Sequence, residues 1–220
     1  MNPPYGGAEQ DSIKSNFPVD MRSSETADLF MALIMRRLKQ KGRVGVVIPD
    51  GFLFGADGPK LAIKEKLLNE FTLHTVIRLP SGVFAPYASI TTNLLFFDNS
   101  GPTKETWFYR VDPPSGLKTF SKTRQFIAAY LDGVREWLKD KREISENGFD
   151  KAKRYSFEEL KSRDYNLDLC GYPHEGDEIL SPDELIPLIA AKRAELDKTL
   201  ADILAFLGPL DDQSGDMAGK

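Results

Sequence analysis

The first residues of the chain, Asn2-Pro3-Pro4-Tyr5, combine side-chain types that could act on an amino group. The two prolines fix φ and remove backbone N–H donors, so this stretch is rigid and its carbonyl groups point in set directions. The side chain of Asn2 adds an amide oxygen as a further acceptor. Two such acceptors could hold both hydrogens of an exocyclic amino group and leave its nitrogen able to attack an electrophilic methyl group.

The ring of Tyr5 would give an extruded nucleobase a surface to stack on, because chemistry on a base requires that it leave the duplex. We therefore predict that Asn2, Pro3, Pro4 and Tyr5 form a catalytic motif. The alternative is a proline-rich turn without a chemical role, since a motif this short arises by chance in roughly one chain per hundred of this length.

The elements that must position this motif alternate between helices and strands up to about residue 79. Apolar residues at helical spacing predict a helix over 26–40, and the apolar run at 44–48 predicts a strand buried on both faces. The further predicted elements are a helix at 59–69 and strands at 73–79, 91–97 and 106–111. The alternation implies parallel pairing through right-handed crossovers, with at least one antiparallel strand among the later ones.

Beyond residue 112 the pattern is mostly helical. Apolar residues form one stripe over 122–139, a capping box at 156–159 begins a short helix, and a second at 181–184 begins a long amphipathic helix to about 207. These patterns predict a partial α/β domain at 1–112, a helical C-terminal region at 113–208 and a disordered tail at 209–220.

Composition and charge limit the function classes. The net charge of −4 and the pI near 5.4 argue against a protein that grips nucleic acid over a wide basic face. The single cysteine, Cys170, cannot form an internal disulfide and is predicted to be a buried or half-buried thiol. With two histidines, no metal site is expected. Nothing resembles a signal peptide or a bilayer-spanning run, so a cytoplasmic protein is predicted.

Three segments of the sequence carry a resemblance to a known family. They are NPPYGG at 2–7, ADLFMALIMRRLKQKGRVGVVIPDGFLFG at 27–55 and LHTVIRLPSGVFAPYASITTNLLFFDN at 73–99. Together they resemble the modification subunit of type I restriction-modification systems, an adenine-N6 DNA methyltransferase. A weaker likeness continues through FEELKSRDYNLDLCGY at 157–172. The fold that this implies is α/β: the C-terminal half of a doubly wound, Rossmann-like methyltransferase sheet with a helical C-terminal extension.

The resemblance also implies roles for individual residues. Asn2, Pro3 and Pro4 would hold the amino group of the target adenine, and Tyr5 would stack on the flipped base. A second ring against the base would come from Phe84 as first choice and Tyr87 as second. The alternative for Phe84 is a core aromatic at a strand–loop junction. Thr92 and Asn93 are expected to position backbone at the start of a strand rather than to do chemistry.

The cofactor and partners that the resemblance implies are S-adenosylmethionine, DNA, a specificity subunit and a second modification subunit, with a restriction subunit as an optional addition and no membrane. In the family the glycine-rich turn that holds the cofactor precedes the Asn-Pro-Pro-aromatic motif, and only Met1 precedes Asn2 here. Gly51 and Gly55 lack the tight spacing of such a turn. We therefore expect only Asn2 and Pro3 to lie at the edge of the cofactor pocket.

It follows that the 220-residue chain alone should be inactive and should present an open sheet edge to another chain. A split or truncated gene, a piece cut for crystallisation and a fragment completed by a separate N-terminal polypeptide all fit this expectation.

Two other functions remain open. The first is a non-catalytic interaction fragment that docks on the specificity subunit or on a separate N-terminal half. Its candidate surface is the helical stripe Leu185, Ile189, Leu196, Leu200, Ile203 and Leu207, although Lys192 and Arg193 interrupt the heptad pattern and packing on the chain's own core is equally compatible. The second is methylation of protein glutamine residues, which the phrase GVFAPYASITTNLLFF and the long helical C-terminus disfavour.

Overall fold

The computed structural model describes residues 1–88, 90–172 and 182–207 and divides the chain into two compact units, Met1–Tyr172 and Pro173–Lys220. The strands are β1 (Arg43–Pro49), β2 (Thr72–Arg78), β3 (Thr92–Asp98), β4 (Glu105–Arg110), β5 (Ile144–Glu146) and β6 (Phe149–Ser156). The α-helices are α1 (Asp11–Lys14), α2 (Thr26–Arg37), α3 (Asp50–Phe54), α4 (Gly58–Glu70), α5 (Asp132–Lys139), α6 (Phe157–Ser162) and α7 (Pro182–Leu207).

The first unit is built on one six-stranded sheet with the order β1-β3-β2-β4-β6-β5. β3 runs antiparallel to both β1 and β2, and β2 pairs with β4 in parallel. The predicted antiparallel strand is therefore confirmed, whereas direct pairing of β1 with β2 is wrong. β3 lies between them because its residues Leu94–Phe97 place apolar side chains on both faces of the sheet. A strand in the middle of the sheet has both faces covered by helices.

Helices cover both faces of this sheet, so the predicted α/β class is confirmed. On one face, Met31 of α2 and Leu67 of α4 join a core with Leu95. On the other face, Trp137 of α5 joins a second core with Ile77. Each core consists of buried apolar side chains, and their burial supplies the main driving force for packing the helices on the sheet.

The sheet continues beyond residue 112, in a region predicted to be mostly helical. β6 pairs with the outer edge of β4, and β5 pairs with β6 through a turn at Asn147 (φ 53°) and Gly148 (φ 80°). Asn-Gly between extended segments is a strong hairpin signal, because both positions need positive φ. The mostly helical pattern predicted beyond residue 112 therefore does not hold for 144–156, and the hairpin covers a strand edge that would otherwise be exposed.

The helices that position the site follow their sequence signals. α4 begins at an N-cap, where Asp57 accepts a hydrogen bond from the backbone N–H of Lys60, and α6 begins at the predicted capping box of Ser156 and Glu159. Over the predicted stripe at 122–139, only α5 is α-helical and it follows a 3₁₀ turn at Ala128–Leu131. The long C-terminal helix is confirmed as α7. Ser181 of the second capping box and the tail at 209–220 lie outside the described residues.

Among the helices that the structure describes, none has the length and apolar character needed to cross a membrane.

Candidate active site

Met1 places the Asn-Pro-Pro-Tyr motif at one edge of the sheet. The amino group of Met1 donates to the carbonyl of Gly45 at 2.6 Å, and the N–H of Val47 donates to the carbonyl of Met1 at 3.0 Å. This is the hydrogen-bond pattern of a parallel bridge to β1. Asn2 and the prolines therefore continue toward the carboxyl end of β1. Open α/β sheets bind their ligands outside the carboxyl ends of their strands, and we call this end of the sheet the motif edge.

Within the motif, Asn2 is exposed, Pro3 is buried and Tyr5 is half-buried. The hydroxyl of Tyr5 donates to Oδ1 of Asn2, the amide oxygen predicted to accept an amino group. Burial raises the pKa of Tyr5 to about 12, so this hydroxyl keeps its proton even at pH 10. Any ligand that uses the oxygen of Asn2 must compete with that hydrogen bond.

The loop after the motif is fastened to the start of α2. The N–H of Thr26 donates to the carbonyl of Gly7 at 3.1 Å, and Ala8 forms an antiparallel bridge with Glu25. A Cβ at Gly7 would lie 2.6 Å from Oγ1 of Thr26, so this close approach requires glycine. Lys60 of α4 contacts Glu25 at 2.5 Å, and this ion pair ties the loop to the helical layer.

Phe84 reaches the motif from a turn that follows β2. The N–H of Ala85 donates to the carbonyl of Gly82 at 2.9 Å, and Gly82 has a φ of 78°, which a residue with a Cβ rarely adopts. The turn brings the ring of Phe84 to a centroid distance of 6.3 Å from the ring of Tyr5, with 51° between the ring planes. Two motifs far apart in the sequence thus meet at the same edge of the sheet.

Tyr87, the second-choice ring, does not share this contact. It lies in the same turn, but 94% of its surface is exposed. Phe84, by contrast, is half-buried and contacts Tyr5. Of the two candidate rings, the structure brings only Phe84 to Tyr5.

Sequence reasoning missed a charged cluster behind this edge. Oδ1 of Asp50 accepts hydrogen bonds from Arg78 at 2.8 Å and from the side chain of Asn93 at 3.0 Å. Arg78, whose side chain is 5% exposed, also donates to Asp168 and to the carbonyl of Leu169. A buried arginine needs such partners. The available signal was an arginine between the apolar residues Val76-Ile77 and Leu79.

Asn93 was expected to position backbone, and its side chain does fix the first residue of α3 through Asp50. The neighbouring Thr92 contributes its carbonyl, which accepts from the N–H of Leu79 at 3.2 Å. Both residues therefore hold the ends of β1 and β2 together behind the motif.

Two glycines follow β1, at the start of α3 and just after its end. A Cβ at Gly51 would meet nothing within 4 Å, whereas a Cβ at Gly55 would lie 2.3 Å from the side chain of Lys60. Over the ranges 1–88, 90–172 and 182–207, no group of three or more His, Cys, Asp or Glu side chains could hold a metal ion.

Comparison with known proteins shows the family of this chain. The family model described as N-6 DNA Methylase matches residues 1–178. The methylase subunit of the type I restriction enzyme EcoEI from Escherichia coli is 41% identical over 210 residues, which are 94% of this chain and 42% of that protein. The chain therefore spans about two-fifths of the length of this relative.

Solved structures give the same result. A modification subunit of a putative type I restriction enzyme from Vibrio vulnificus YJ016 aligns with a TM-score of 0.67 and 45% identity over 72% of this chain and 33% of that one. A chain from a structural study of type I R-M complex assembly aligns with a TM-score of 0.68 and 34% identity over 97% of this chain and 45% of that one. The predicted resemblance is confirmed, and this chain belongs to the N-6 DNA methylase family, as a relative of type I modification subunits.

Proposed function

We propose that this chain supplies the target-base half of a type I adenine-N6 DNA methyltransferase, and that S-adenosylmethionine binds mainly to residues outside it. The observation that carries this proposal is the meeting of Tyr5 and Phe84 at the sheet edge where Asn2 lies. The family match supports methylation of adenine N6, because it covers residues 1–178, including both motifs.

The residues at this edge would bind and orient the adenine amino group. Oδ1 of Asn2 and the carbonyl of Pro3 would accept its two hydrogens, after the hydroxyl of Tyr5 has released Asn2. Holding the nitrogen in this way aims its lone pair at the methyl donor and removes competing water. Direct transfer to nitrogen needs no protein nucleophile, so the task of these residues is positioning.

The two rings would sandwich the flipped base. A base between two parallel rings needs a centroid separation of about 7 Å, twice the distance of ordinary carbon contact. The ring centroids of Tyr5 and Phe84 are 6.3 Å apart and the rings are tilted by 51°. The rings would therefore admit the base if they moved about 1 Å further apart and rotated to become parallel. Stacking on aromatic side chains is worth about 1–3 kcal/mol per base.

The open edge of β1 supports completion of the cofactor site by another segment. In the part of the chain that the structure describes, only Met1 pairs with this edge. Beside it lies an apolar cavity of about 440 Å³, lined in part by Leu33, Leu38 and Val44. We therefore expect the 220-residue chain alone to bind S-adenosylmethionine weakly, and micromolar affinity in calorimetry would contradict this.

The test uses an assembled modification enzyme that contains this chain and a DNA duplex with 2-aminopurine at the target position, whose fluorescence rises when the base leaves the stack. Phe84→Ala should lower the equilibrium constant for base extrusion about 5- to 150-fold, the equivalent of 1–3 kcal/mol. Tyr87→Ala is the matched control and should leave the signal unchanged, because Tyr87 is exposed. Equal effects of the two substitutions would contradict the proposed sandwich.

Tyr5 offers a second control within the motif. Tyr5→Phe keeps the ring and removes the hydroxyl that occupies Asn2, so base extrusion should persist or rise. Tyr5→Ala removes the ring and should reduce it. A loss of signal in Tyr5→Phe equal to that in Tyr5→Ala would show that the hydroxyl, and not the ring, carries the function.

A second candidate function is docking on a specificity subunit through α7. Exposed apolar residues of α7 recur at helical spacing and form one stripe. They are Ile186, Ile189, Leu196, Leu200 and Ile203, each at least 50% exposed. Arg193 takes the intervening position on this stripe, as a polar residue that sets register can in a coiled coil. The side chains of Leu185 and Leu207 lie outside the described residues.

The exposure of the five apolar residues from Ile186 to Ile203 means that this stripe is not buried within its own unit, which supports a helical partner. Co-purification with a specificity subunit should be lost in Leu200→Lys/Ile203→Lys and retained in Lys198→Ala, a neighbour off the stripe. Retention in the double variant would exclude this surface. A second modification subunit, DNA and an optional restriction subunit complete the proposed cytoplasmic assembly.

A further inference from the structure

A second cavity lies at the end of the sheet opposite to Asn2. It has a volume of about 480 Å³ and opens where β2 and β4 begin. Its chemically active lining consists of Thr72, His74, Lys104, Glu105, Trp107 and Lys141, which we call the bulge pocket. The length of β2 separates the bulge pocket from the motif edge by about 20 Å at 3.3 Å per residue, so neither site overlaps the other.

A β-bulge in β2 creates one wall of this pocket. Leu73 pairs with Phe97 and Thr75 pairs with Phe96, so His74 has no partner on β3. The extra residue brings His74 beside Thr75, where its Nδ1 lies 2.9 Å from Oγ1 of Thr75. Bulges commonly re-aim a side chain in this way next to functional sites.

Lys141 enters the pocket from the segment after α5. Its Nζ donates to Oγ1 of Thr75 at 2.7 Å and lies 5.9 Å from the ring centroid of Trp137. No carboxylate lies within ion-pair distance of it among the described residues. By contrast, Lys60 contacts three carboxylates and Lys151 contacts two. Burying an ammonium group without an ion-pair partner is costly, so Lys141 is a half-buried cation that a closely bound anion would stabilise.

The other charges of the pocket leave it basic. Lys104 is exposed and makes no ion pair with the described residues. Glu105 is the acid in the lining, and its carboxylate pairs with Arg154 at 3.1 Å. Burial, and then the charge of Lys141, lower the pKa of His74, whereas a bound anion would act in the opposite sense. Two ammonium groups and an imidazole thus face a cavity in a chain whose net charge is −4.

We propose that the bulge pocket binds a phosphate group. Phosphate oxygens accept several hydrogen bonds at once, and lysine ammonium groups suit them as mobile point charges. The cavity exceeds the size of a lone phosphate ion, so the pocket has room for the organic part of a phosphomonoester beside Trp107. A phosphate in the backbone of DNA presents the same oxygens and is the other source of this chemistry.

The two tryptophans of the chain make the test direct, because Trp107 lines the pocket and Trp137 lies beside Lys141. The full chain is titrated with inorganic phosphate, with adenosine monophosphate and with a short DNA duplex at constant ionic strength, and tryptophan fluorescence is recorded. The result expected is a saturable change that Lys141→Met weakens at least tenfold. Lys139→Met, an exposed neighbour paired with Glu136, should bind like the unaltered chain.

Saturation by the small phosphates identifies a free phosphate or phosphomonoester as the source, and saturation by DNA alone identifies a backbone phosphate. No saturable response to any of the three would overturn the proposal, and so would equal affinity of Lys141→Met and the unaltered chain. Should this variant fail to fold by circular dichroism, Lys104→Met gives the same comparison.

Discussion

Replacing Gly82 with alanine examines how the backbone places Phe84. Gly82 has a φ of 78°, and a Cβ there would lie 2.2 Å from the carbonyl oxygen of Phe120 and 2.7 Å from Oγ1 of Thr119. Gly148 is a matched control, because its φ is 80° and an added Cβ meets nothing within 4 Å. The two substitutions therefore share the backbone strain and differ in the steric clash.

The magnitudes follow from these two terms. A left-handed conformation costs a residue with a Cβ about 1–2 kcal/mol, and the lower entropy of the unfolded chain offsets about 0.4–1 kcal/mol of this. Gly148→Ala should thus lower the free energy of unfolding by about 1 kcal/mol. In Gly82→Ala the Phe120 carbonyl must retreat by about 1 Å to reach ordinary contact, which adds about 1–3 kcal/mol of overpacking. The total for Gly82→Ala is about 2–4 kcal/mol.

Thermal unfolding followed by circular dichroism measures both effects. In a domain of this size each kcal/mol shifts Tm by about 2–4 °C, so Gly82→Ala should melt roughly 5–15 °C lower and Gly148→Ala roughly 2–4 °C lower. Equal shifts for the two variants would refute the reasoning, since they would show that the approach of Phe120 does not constrain the turn.

Three further predictions concern buried ionisable groups. Arg78→Met should lower the free energy of unfolding in urea by about 2–3 kcal/mol, less than for a fully buried pair because the side chains of Asp50 and Asp168 are 28% and 42% exposed; an unchanged midpoint would contradict this. Burial raises the pKa of Cys170 to about 11, so a thiol reagent at pH 8 should label it only after denaturant is added, and rapid labelling of the folded chain would count against its burial. Burial lowers the pKa of Lys64 to about 8, so the stability that this group contributes is present above its unfolded pKa near 10.5 and is lost as pH falls through about 8. Lys64→Met should abolish that part of the pH dependence, and an identical pH profile in the variant would show that Lys64 is not its source.

Local sequence signals identified much of the sheet. The strands at β1 to β4 and the helices α2 and α4 follow from apolar periodicity and from caps such as Asp57. The order of the strands could not follow from the same signals, because an apolar run like Leu94–Phe97 specifies burial on both faces but not which neighbours provide it. The hairpin at Asn147-Gly148 was predictable from its turn residues, and the surrounding charged residues obscured it.

The candidate site was likewise predictable from the sequence only in part. Asn2 and Tyr5 are identifiable from their spacing, because rigid acceptors and a ring are chemical requirements that a short motif can meet. Phe84 and Tyr87 are both aromatic residues of one turn, and only the path of the backbone separates a ring at Tyr5 from an exposed one. The contact of Arg78 with Asp168 joins distant parts of the chain, so no local pattern could predict it.

The central claim is that Asn2 captures the adenine amino group without being needed to hold DNA. In an assembled modification enzyme that contains this chain, the measurement is the methyl-transfer rate of Asn2→Ala, recorded beside its affinity for the same duplex. We predict a loss of about 10²- to 10³-fold or more in the rate, as for removal of a group that acts in the transition state, with affinity unchanged within about twofold. Methylation near the unaltered rate, or a parallel loss of DNA affinity, would contradict the account.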